Sequence, residues 1–290
     1  MESIRRRGIG FVDHAIRLIL FFCALLSSTL VVTILAFLFY FTAPVIVDGR
    51  ITELFGMVWN PISGNFGILP MMVGSLCVSF TALAIAYPLA AGISLFCSGA
   101  GPKVLTGKLV ILIEFATCVP TVVYAFVSAI LLAPLLRSFF EYGSGFSWLA
   151  ASLTLSILII PTIVLMINSS MKEVSATVRP VALSLGMTPI QSLTWVEIPQ
   201  AWKGFVVGFV LGSARAVGDT MISLMLAGNA AQFPGSVLDS VRTLTAHIAL
   251  VVATDPNSLA YQSIFLSGLI LFLISALTNL GLRFVVRSIK

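Results

Sequence analysis

Long apolar stretches, separated by short polar and basic segments, dominate the hydropathy pattern of the chain. An α-helix needs about 20 mainly apolar residues to cross a bilayer core of about 30 Å. Six stretches reach that length, and the first is too long for the core of a signal peptide, so we expect it to be retained. The predicted transmembrane helices cover about Leu18–Ala43, Ile68–Cys97, Leu109–Leu136, Trp148–Ile167, Phe205–Leu226 and Ile264–Val286.

The composition supports a membrane protein. Apolar residues make up 59% of the chain and charged residues 9%, whereas soluble domains carry about 25% charged residues. The basic residues form no stripe long enough to follow a nucleic-acid backbone. We therefore predict an all-α integral membrane protein in contact with lipid and without a nucleic-acid partner.

The distribution of Lys and Arg predicts the orientation. If both termini are cytoplasmic, three basic residues (Arg50, Arg137 and Arg242) lie on the outer side and twelve on the cytoplasmic side. Cytoplasmic loops of membrane proteins are enriched in this way. The twelve are Arg5, Arg6, Arg7, Arg17, Lys103, Lys108, Lys172, Arg179, Lys203, Arg283, Arg287 and Lys290.

Neither a metal site nor a disulfide framework is predicted. The cysteines lie in apolar stretches, none forms a CxxC pair, and the chain has only two histidines. We expect all four to be small buried hydrophobic residues. They are Cys23, Cys77, Cys97 and Cys118.

Small residues recur every fourth position in two predicted spans. Such ridges let helix backbones approach closely in lipid, so both are predicted to be helix contacts. The ridges are Ala82, Ala86 and Ala90 in the second span, and Gly204, Gly208, Gly212 and Ala216 in the fifth.

Three ionisable residues lie within predicted spans, where a charge is costly unless it is paired or hydrated. Arg215 is about 17 Å into its helix at 1.5 Å per residue, and Asp219 follows one turn later. They form either an ion pair that locks the helix or part of a polar pathway, for which the guanidinium favours an oxyanion. Glu114 lies only about 9 Å from the cytoplasmic end of its predicted helix. It lies either on the pathway or at the membrane interface beside Lys108.

Two connections are unusually long for helix hairpins. Residues 168–203, about 36 residues, are cytoplasmic by the charge distribution and contain a helical stretch near Ala182 that ends about Gly186 and Pro189. This suits a docking element better than a loosely held loop. In the outer connection 229–263, Val237–Ala253 has helical apolar spacing and is either a re-entrant or a surface helix. Prolines within the spans predict kinks at Pro88, Pro120 and Pro134.

The segment from Arg179 to Pro199 resembles the EAA loop of ABC importer permeases. In that pattern Glu-Ala-Ala is followed by three residues of any type, a Gly and nine further residues. It ends with an aliphatic residue, one residue of any type, a second aliphatic residue and Pro. Pro180 and Val181 replace the first two residues of the pattern, Glu and Ala. We therefore expect the docking role to be retained, but not the contact that the family's glutamate makes. The matching positions are Ala182, Gly186, Val196, Ile198 and Pro199.

Three further segments are similar to the phosphate-specific (Pst) permeases. They are 59–70 (Trp-Asn-Pro, then Phe-Gly-Ile-Leu-Pro), Glu114 with 119–124 (Val-Pro-Thr-Val-Val-Tyr), and 214–229 (Ala-Arg-Ala-Val-Gly-Asp-Thr-Met to Ala-Gly-Asn). In the last segment Asp219 replaces the family's glutamate. The Met after Thr220, the Gly-Asn and the later 243–245 (Thr-Leu-Thr) resemble the C-type subunit more than its A-type partner.

This resemblance implies a type I ABC importer permease with a MetI-like bundle, in a bacterial or archaeal plasma membrane. It implies partners: an A-type permease, an ATPase dimer that holds ATP and Mg, and an external phosphate-binding protein. The chain itself would be non-catalytic and bind no cofactor. Residues 1–67 would precede a permease core of 68–290. The expected path residues are Glu114, Arg215, Asp219 and Thr220, and the expected ATPase-coupling residues are Ala182, Leu183, Gly186 and Pro199.

Other functions stay open. Molybdate, tungstate and sulfate importers share the predicted fold and loop. A self-contained anion channel or secondary transporter would need no 36-residue docking segment and would often show internal repeats, of which none is convincing here. A membrane enzyme would need a nucleophile with a base, or a metal cluster, and the sequence shows neither.

Overall fold

The computed structural model describes residues 2–47, 49–255 and 258–287, which form helices joined by short turns and one small β-hairpin. The hairpin pairs β1 (Trp59–Asn60) with β2 (Asn65–Phe66) in antiparallel fashion. The chain divides into two units, residues 1–51 and 52–290. The helices are α1 (Glu2–Val47), α2 (Ile51–Leu54), α3 (Leu69–Leu95), α4 (Lys103–Cys118), α5 (Thr121–Phe140), α6 (Trp148–Ser184), α7 (Pro189–Gln191), α8 (Ile198–Gly218), α9 (Met221–Leu226), α10 (Leu244–Val251) and α11 (Leu259–Arg287).

The first unit is a single long helix with an exposed apolar surface. Residues 16–47 of α1 are long and apolar enough to cross a membrane. The Thr29 hydroxyl donates to the Leu25 carbonyl and the Thr33 hydroxyl to the Thr29 carbonyl, both at 2.8 Å. These bonds satisfy the hydroxyl groups within the helix, so this surface suits lipid.

The core of the second unit lies where α3, α6 and α8 pack together. Ile159, Ile163 and Ile167 recur every fourth residue on α6 and are fully buried. The glycine ridge of α8 packs against this stripe: a Cβ at Gly212 would lie 2.7 Å from Cδ1 of Ile163, and one at Gly204 would overlap Ser170. The ridge predicted from sequence is therefore confirmed as a helix contact.

The third predicted span is two helices, not one kinked helix. α4 ends at Cys118, Val119 and Pro120 are extended, and α5 begins at Thr121. Pro120 has no N–H to donate and disfavours helical geometry at the residue before it. The Tyr124 hydroxyl donates to the Ala116 carbonyl at 2.9 Å and replaces one of the lost bonds. Pro134, by contrast, lies inside α5 without ending it.

The fifth predicted span is also discontinuous. α8 ends at Gly218, Asp219 is extended (φ −74°, ψ 125°), and α9 begins at Met221. Hydroxyl groups from Ser223 and Thr245 donate to the Asp219 carbonyl at 3.3 and 3.0 Å. Side chains therefore satisfy the backbone that the break releases.

The connection 168–203 is more helical than predicted, and the helical stretch expected near Ala182 is the end of α6. α6 continues without interruption from the fourth span to Ser184. Gly186 (φ +82°) ends it: the Gly186 N–H donates to the Leu183 carbonyl and the Met187 N–H to the Ala182 carbonyl, as in a helix C-cap. The chain then returns through α7 and a π-helical turn, Ser192–Glu197, into α8. We call residues 168–203 the coupling hairpin.

The connection 229–255 packs against the helices of the second unit, to which it belongs. It contains α10, shorter than the 237–253 expected, with Leu244 and His247 fully buried. This burial opposes the surface-helix alternative. The loop also caps α6, since the Trp148 N–H donates to the Asp239 carbonyl at 2.9 Å and the Leu149 N–H to the Val237 carbonyl at 2.8 Å.

Within the described residues, five helices are long and apolar enough to span a membrane. α8, which contains Lys203 and Arg215, is not among them and completes its predicted span only together with α9. The six-span count and the cytoplasmic termini stay predictions. The five are Ile16–Val47, Leu69–Gly99, Thr121–Phe140, Trp148–Ser184 and Leu259–Gly281.

Candidate functional site

Arg215 lies in the last turn of α8, half-buried, with its guanidinium directed at α6. Its Nη1 donates to Thr162 Oγ1 at 3.3 Å. In the described part of the chain, no ion pair joins it to Asp219. The locking ion pair that the sequence left open is therefore not formed, and the guanidinium keeps donors available beyond its hydroxyl partner.

Asp219 has a structural partner instead. Its Oδ2 accepts a hydrogen bond from the Ile222 N–H at 2.8 Å, and the residue is 9% exposed. The carboxylate thus satisfies one of the free N–H groups at the start of α9 and carries the charge favoured at a helix N-terminus. Asp219 holds the break in shape beside Arg215.

Where the structure describes the chain, the hydrogen bonds of the other two predicted path residues, Thr220 and Glu114, involve neither Arg215 nor Asp219. Thr220 is half-buried at the start of α9, and its carbonyl accepts the Leu224 N–H at 2.8 Å. Glu114 is exposed on α4, five residues before the start of the break at Val119. Among the described residues, the structure gives no hydrogen bond or ion pair from Glu114 to Arg215 or Asp219.

The predicted coupling residues cluster at the turn of the coupling hairpin. Ala182 is 4% exposed and anchors the end of α6, whereas Leu183 is 43% exposed. Gly186 lies at the turn with open space around it, and Pro199 is exposed in the first turn of α8. The turn also presents large exposed apolar side chains, which mark interaction sites on soluble surfaces. They are Val181, Leu183, Leu185, Ile190 and Trp195.

One partly buried ion pair was not predicted from the sequence: Glu197 is fully buried and Arg179 is 28% exposed. Arg179 of α6 donates from Nε to Glu197 Oε1 at 2.8 Å and from Nη2 to Glu197 Oε2 at 2.7 Å. The same Nη2 donates to the Ser98 carbonyl at 2.6 Å, and Ser192 Oγ donates to Glu197 Oε1 at 2.8 Å. The available signal was Glu197 itself, a lone carboxylate between apolar residues near the start of a span.

Glu197 stays ionised in this environment. Its side chain is fully buried, which by itself raises the pKa of the carboxyl group. The hydrogen bonds from Arg179, Ser192 and Ser175, together with the Arg179 charge, outweigh burial, and the pKa lies below its ordinary value. Hydrogen bonds to the charged form act in this direction.

The prediction of buried cysteines is wrong for two of the four. Cys23 and Cys118 are exposed, and Cys77 and Cys97 are partly buried. Cys23 lies on the exposed surface of α1 and Cys118 at the break after α4, where apolar surface is left for lipid or a partner. In the described residues, no group of three His, Cys, Asp or Glu side chains could hold a metal ion.

The chain is similar to known transport proteins over most of its length. Residues 92–290 match the family described as "Binding-protein-dependent transport system inner membrane component". The "Probable ABC transporter permease protein YqgH" of Bacillus subtilis is 32% identical, over 78% of this chain and 74% of that protein. The "Phosphate transport system permease protein PstC" of Pasteurella multocida is 29% identical, over 75% and 73%.

Solved structures show the same fold. The MetNI methionine ABC transporter in an inward-facing conformation matches with a TM-score of 0.60 and 15% identity, over 80% of this chain and all of that chain. A bacterial ABC transporter involved in the import of alginate matches with a TM-score of 0.58 and 14% identity, over 92% and 96%. The predicted type I ABC importer permease fold is confirmed. The chain therefore belongs to the binding-protein-dependent transport system inner membrane component family, as a non-catalytic permease subunit of the inner membrane.

Proposed function

We propose that this chain is one of two permease subunits of an ATP-driven importer of inorganic phosphate. The observation that carries the proposal is Arg215, a half-buried guanidinium at a break within a predicted span. Its hydrogen-bond partner among the described residues is one neutral hydroxyl. Relatives with 27–29% identity over most of their length bear the name phosphate transport system permease protein. A guanidinium offers the planar set of donors that suits a tetrahedral oxyanion.

The path would run past the break between α8 and α9. Arg215 would attract and hold the anion, and Thr162, which already bonds the guanidinium, would orient that side chain. Asp219 would keep α9 in place through its bond to the Ile222 N–H and balance the charge of the site. Glu114 and Thr220 are proposed to line the same path, although their contacts in this structure do not join them to Arg215.

The energy would come from separate ATPase subunits that hold ATP and Mg. The coupling hairpin would dock on that dimer through the exposed apolar side chains at its turn, with Ala182, Leu183, Gly186 and Pro199 shaping the contact. The A-type permease would complete the pathway, and a phosphate-binding protein would deliver the anion from outside. In this proposal 68–290 is the permease core, and 1–67 forms the first helix and the connection after it.

Labelled phosphate uptake tests the proposal. The chain would be expressed with its native partner permease, ATPase and binding protein in cells that lack their own high-affinity importer. We expect ATP-dependent phosphate uptake that excess molybdate, tungstate or sulfate does not reduce. Uptake blocked by another oxyanion would keep the importer and reject phosphate as the cargo. Anion flux without ATP or partners would instead identify a channel.

A further inference from the structure

Three parts of the fold that are distant in sequence meet at the Arg179 guanidinium. Its bonds to Glu197 join α6 to the π-helical turn Ser192–Glu197 before α8. Its bond to the Ser98 carbonyl joins both to the π-helical turn Phe96–Ala100 that follows α3. We call Arg179, Glu197 and the Ser98 carbonyl the Arg179 clamp.

The clamp is closely fitted. A Cβ at Gly99 would overlap Nη2 of Arg179, so the turn after α3 passes directly beside the guanidinium. Ser192 supplies a further donor to the Glu197 carboxylate. The two-bond geometry fixes both the distance and the rotation between the two side chains, and a lysine in place of arginine could not reproduce it.

Stability alone is a weak reason for such a pair. The desolvation of the fully buried Glu197 carboxylate offsets much of its attraction to the partly buried Arg179, and well-packed apolar residues often replace a buried pair without loss. An ion pair with two parallel hydrogen bonds fixes the relative orientation of its two side chains, which apolar packing does not. The position of this pair in the fold indicates what the fixed orientation serves.

The clamp lies where the coupling hairpin joins the helical core. Arg179 precedes Ala182 by one helical turn, and Glu197 precedes Pro199 by two residues, so the pair bridges both arms close to the turn. The two π-helical turns that it connects are points where regular helix geometry is interrupted. Without a cross-link, a displacement of the hairpin could be absorbed there as bending.

We propose that the Arg179 clamp makes the coupling hairpin, the end of α3 and the start of α8 move as one body, so that a displacement of the hairpin reaches Arg215 at the other end of α8. Arg179 and Glu197 are positioning residues in this proposal, which rests on the proposed ATP-driven import. Their loss leaves docking and ATP hydrolysis in place and disconnects hydrolysis from transport.

The experiment measures anion uptake and ATP hydrolysis in the same proteoliposomes, which contain the whole transporter and its binding protein. The anion is whichever oxyanion the wild-type complex carries, so a wrong cargo assignment does not affect the result. The variants are Arg179→Lys, which keeps the charge and loses the two-bond geometry, and Glu197→Gln, which keeps the shape and loses the charge. Lys108→Gln, which removes an exposed charge on α4, is the matched control.

We expect both clamp variants to co-purify with the ATPase and to hydrolyse ATP, while the anion transported per ATP falls at least about tenfold. A tenfold factor is the size expected if the clamped and unclamped arrangements differ in free energy by one charged hydrogen bond. The control should keep the wild-type ratio. A ratio within about twofold of wild type in both clamp variants would overturn the proposal. If the wild-type complex itself couples no uptake to ATP, the proposed import is overturned together with the clamp. An unchanged ratio in the clamp variants overturns the clamp alone, so the two failures can be told apart.

A double variant, Arg179→Met with Glu197→Leu, keeps the test decisive if a single variant does not assemble. Apolar replacement of both charges avoids a buried unpaired charge, so assembly is expected to return. The clamp proposal predicts that the uptake per ATP stays low in this double variant. Recovery of the wild-type ratio would show that packing is sufficient and would overturn the role of the ion pair.

Discussion

Arg215 combines a positive charge with partial burial, and its hydrogen-bond partner in the part of the chain that the structure describes is the neutral hydroxyl of Thr162. A buried charge of this kind is costly unless something else offsets it. Because no ion pair joins Arg215 to Asp219 among the described residues, we propose a bound anion as its partner. In the proposed function the guanidinium binds the substrate, and Asp219 shapes the backbone beside it through its bond to the Ile222 N–H.

Replacing Arg215 by alanine is therefore expected to abolish uptake and leave the complex assembled. Loss of a charged hydrogen bond of about 1.5–3 kcal/mol corresponds to about 10- to 100-fold in anion affinity. The measurement is labelled phosphate uptake, with co-purification of the partner subunits from the same cells. Thr162→Val, which removes only the hydroxyl partner, serves as the milder comparison. Loss of assembly in Arg215→Ala would assign the residue a structural role.

Glu197 predicts a pH dependence of stability. The pKa of its carboxyl group is lowered in the folded protein from an ordinary value of 4.5. The charged form therefore contributes stability that is fully present above pH 4.5 and is lost as the pH falls through the lowered pKa. We expect the unfolding temperature of the wild-type complex to exceed that of Glu197→Gln at pH 7, and the difference to shrink below pH 4.5. A difference that is the same at both pH values would contradict the bonded, ionised Glu197.

At the scale of elements, two spans are broken at different places for different reasons. Pro120 ends α4 through its own covalent structure. At the other break α8 ends at Gly218, the Ser223 and Thr245 hydroxyls donate to the Asp219 carbonyl, and the Asp219 side chain accepts from the Ile222 N–H of α9. Both breaks leave backbone groups that are tolerated in a membrane only when protein or water satisfies them. Breaks of this kind within a bundle suit a pathway better than a lipid-facing surface.

The turn of the coupling hairpin depends on Gly186. Its φ of +82° favours glycine, and a side chain in this backbone conformation costs about 1–2 kcal/mol, although the space around Gly186 is open. Gly186→Ala should therefore weaken the hairpin turn and reduce the amount of ATPase that co-purifies. Gly107→Ala on α4, a helical glycine with equally open surroundings, is the matched control and should behave as wild type. Equal recovery of ATPase with both variants would argue against docking at this turn.

At the scale of the whole molecule, the facing surfaces of α6 and α8 are in close contact inside the second unit, whereas α4 and α5 present exposed apolar surfaces. The ridge of α8 fits the isoleucine stripe of α6. By contrast, Phe115 on α4 and Phe126 and Leu131 on α5 remain more than half exposed. Helices in lipid gain little from covering leucine, so close packing of small residues decides which of them associate. The exposed helices are available to lipid and to the proposed second permease.

Filling the ridge should therefore destabilise the permease before it affects any partner. In Gly212→Leu the added side chain meets Ile163, and overpacking of this kind costs about 1–3 kcal/mol. We expect a lower unfolding temperature of the purified chain. Gly281→Leu on α11, where a Cβ meets no atom within 4 Å, should be close to neutral. Similar unfolding temperatures for the two variants would mean that α6 and α8 do not pack as described.

Much of this protein followed from the sequence by itself, because bilayer crossing depends on the length and polarity of consecutive residues. The apolar stretches, the small-residue ridge ending at Ala216, the helix end near Gly186 and the importer resemblance all required only local patterns. Arg215 was identified for the same reason, since a charge within an apolar stretch is visible without coordinates.

The tertiary structure decided what those side chains bind. Whether Arg215 pairs with Asp219 or with Thr162 depends on how α6 lies against α8, and no local pattern specifies that arrangement. The Arg179 clamp joins residues 18 and 81 positions apart, and the continuity of α6 into the coupling hairpin depends on packing against neighbouring helices. These features come from non-local contacts, and the free energy of each contact depends on burial that only the folded chain provides.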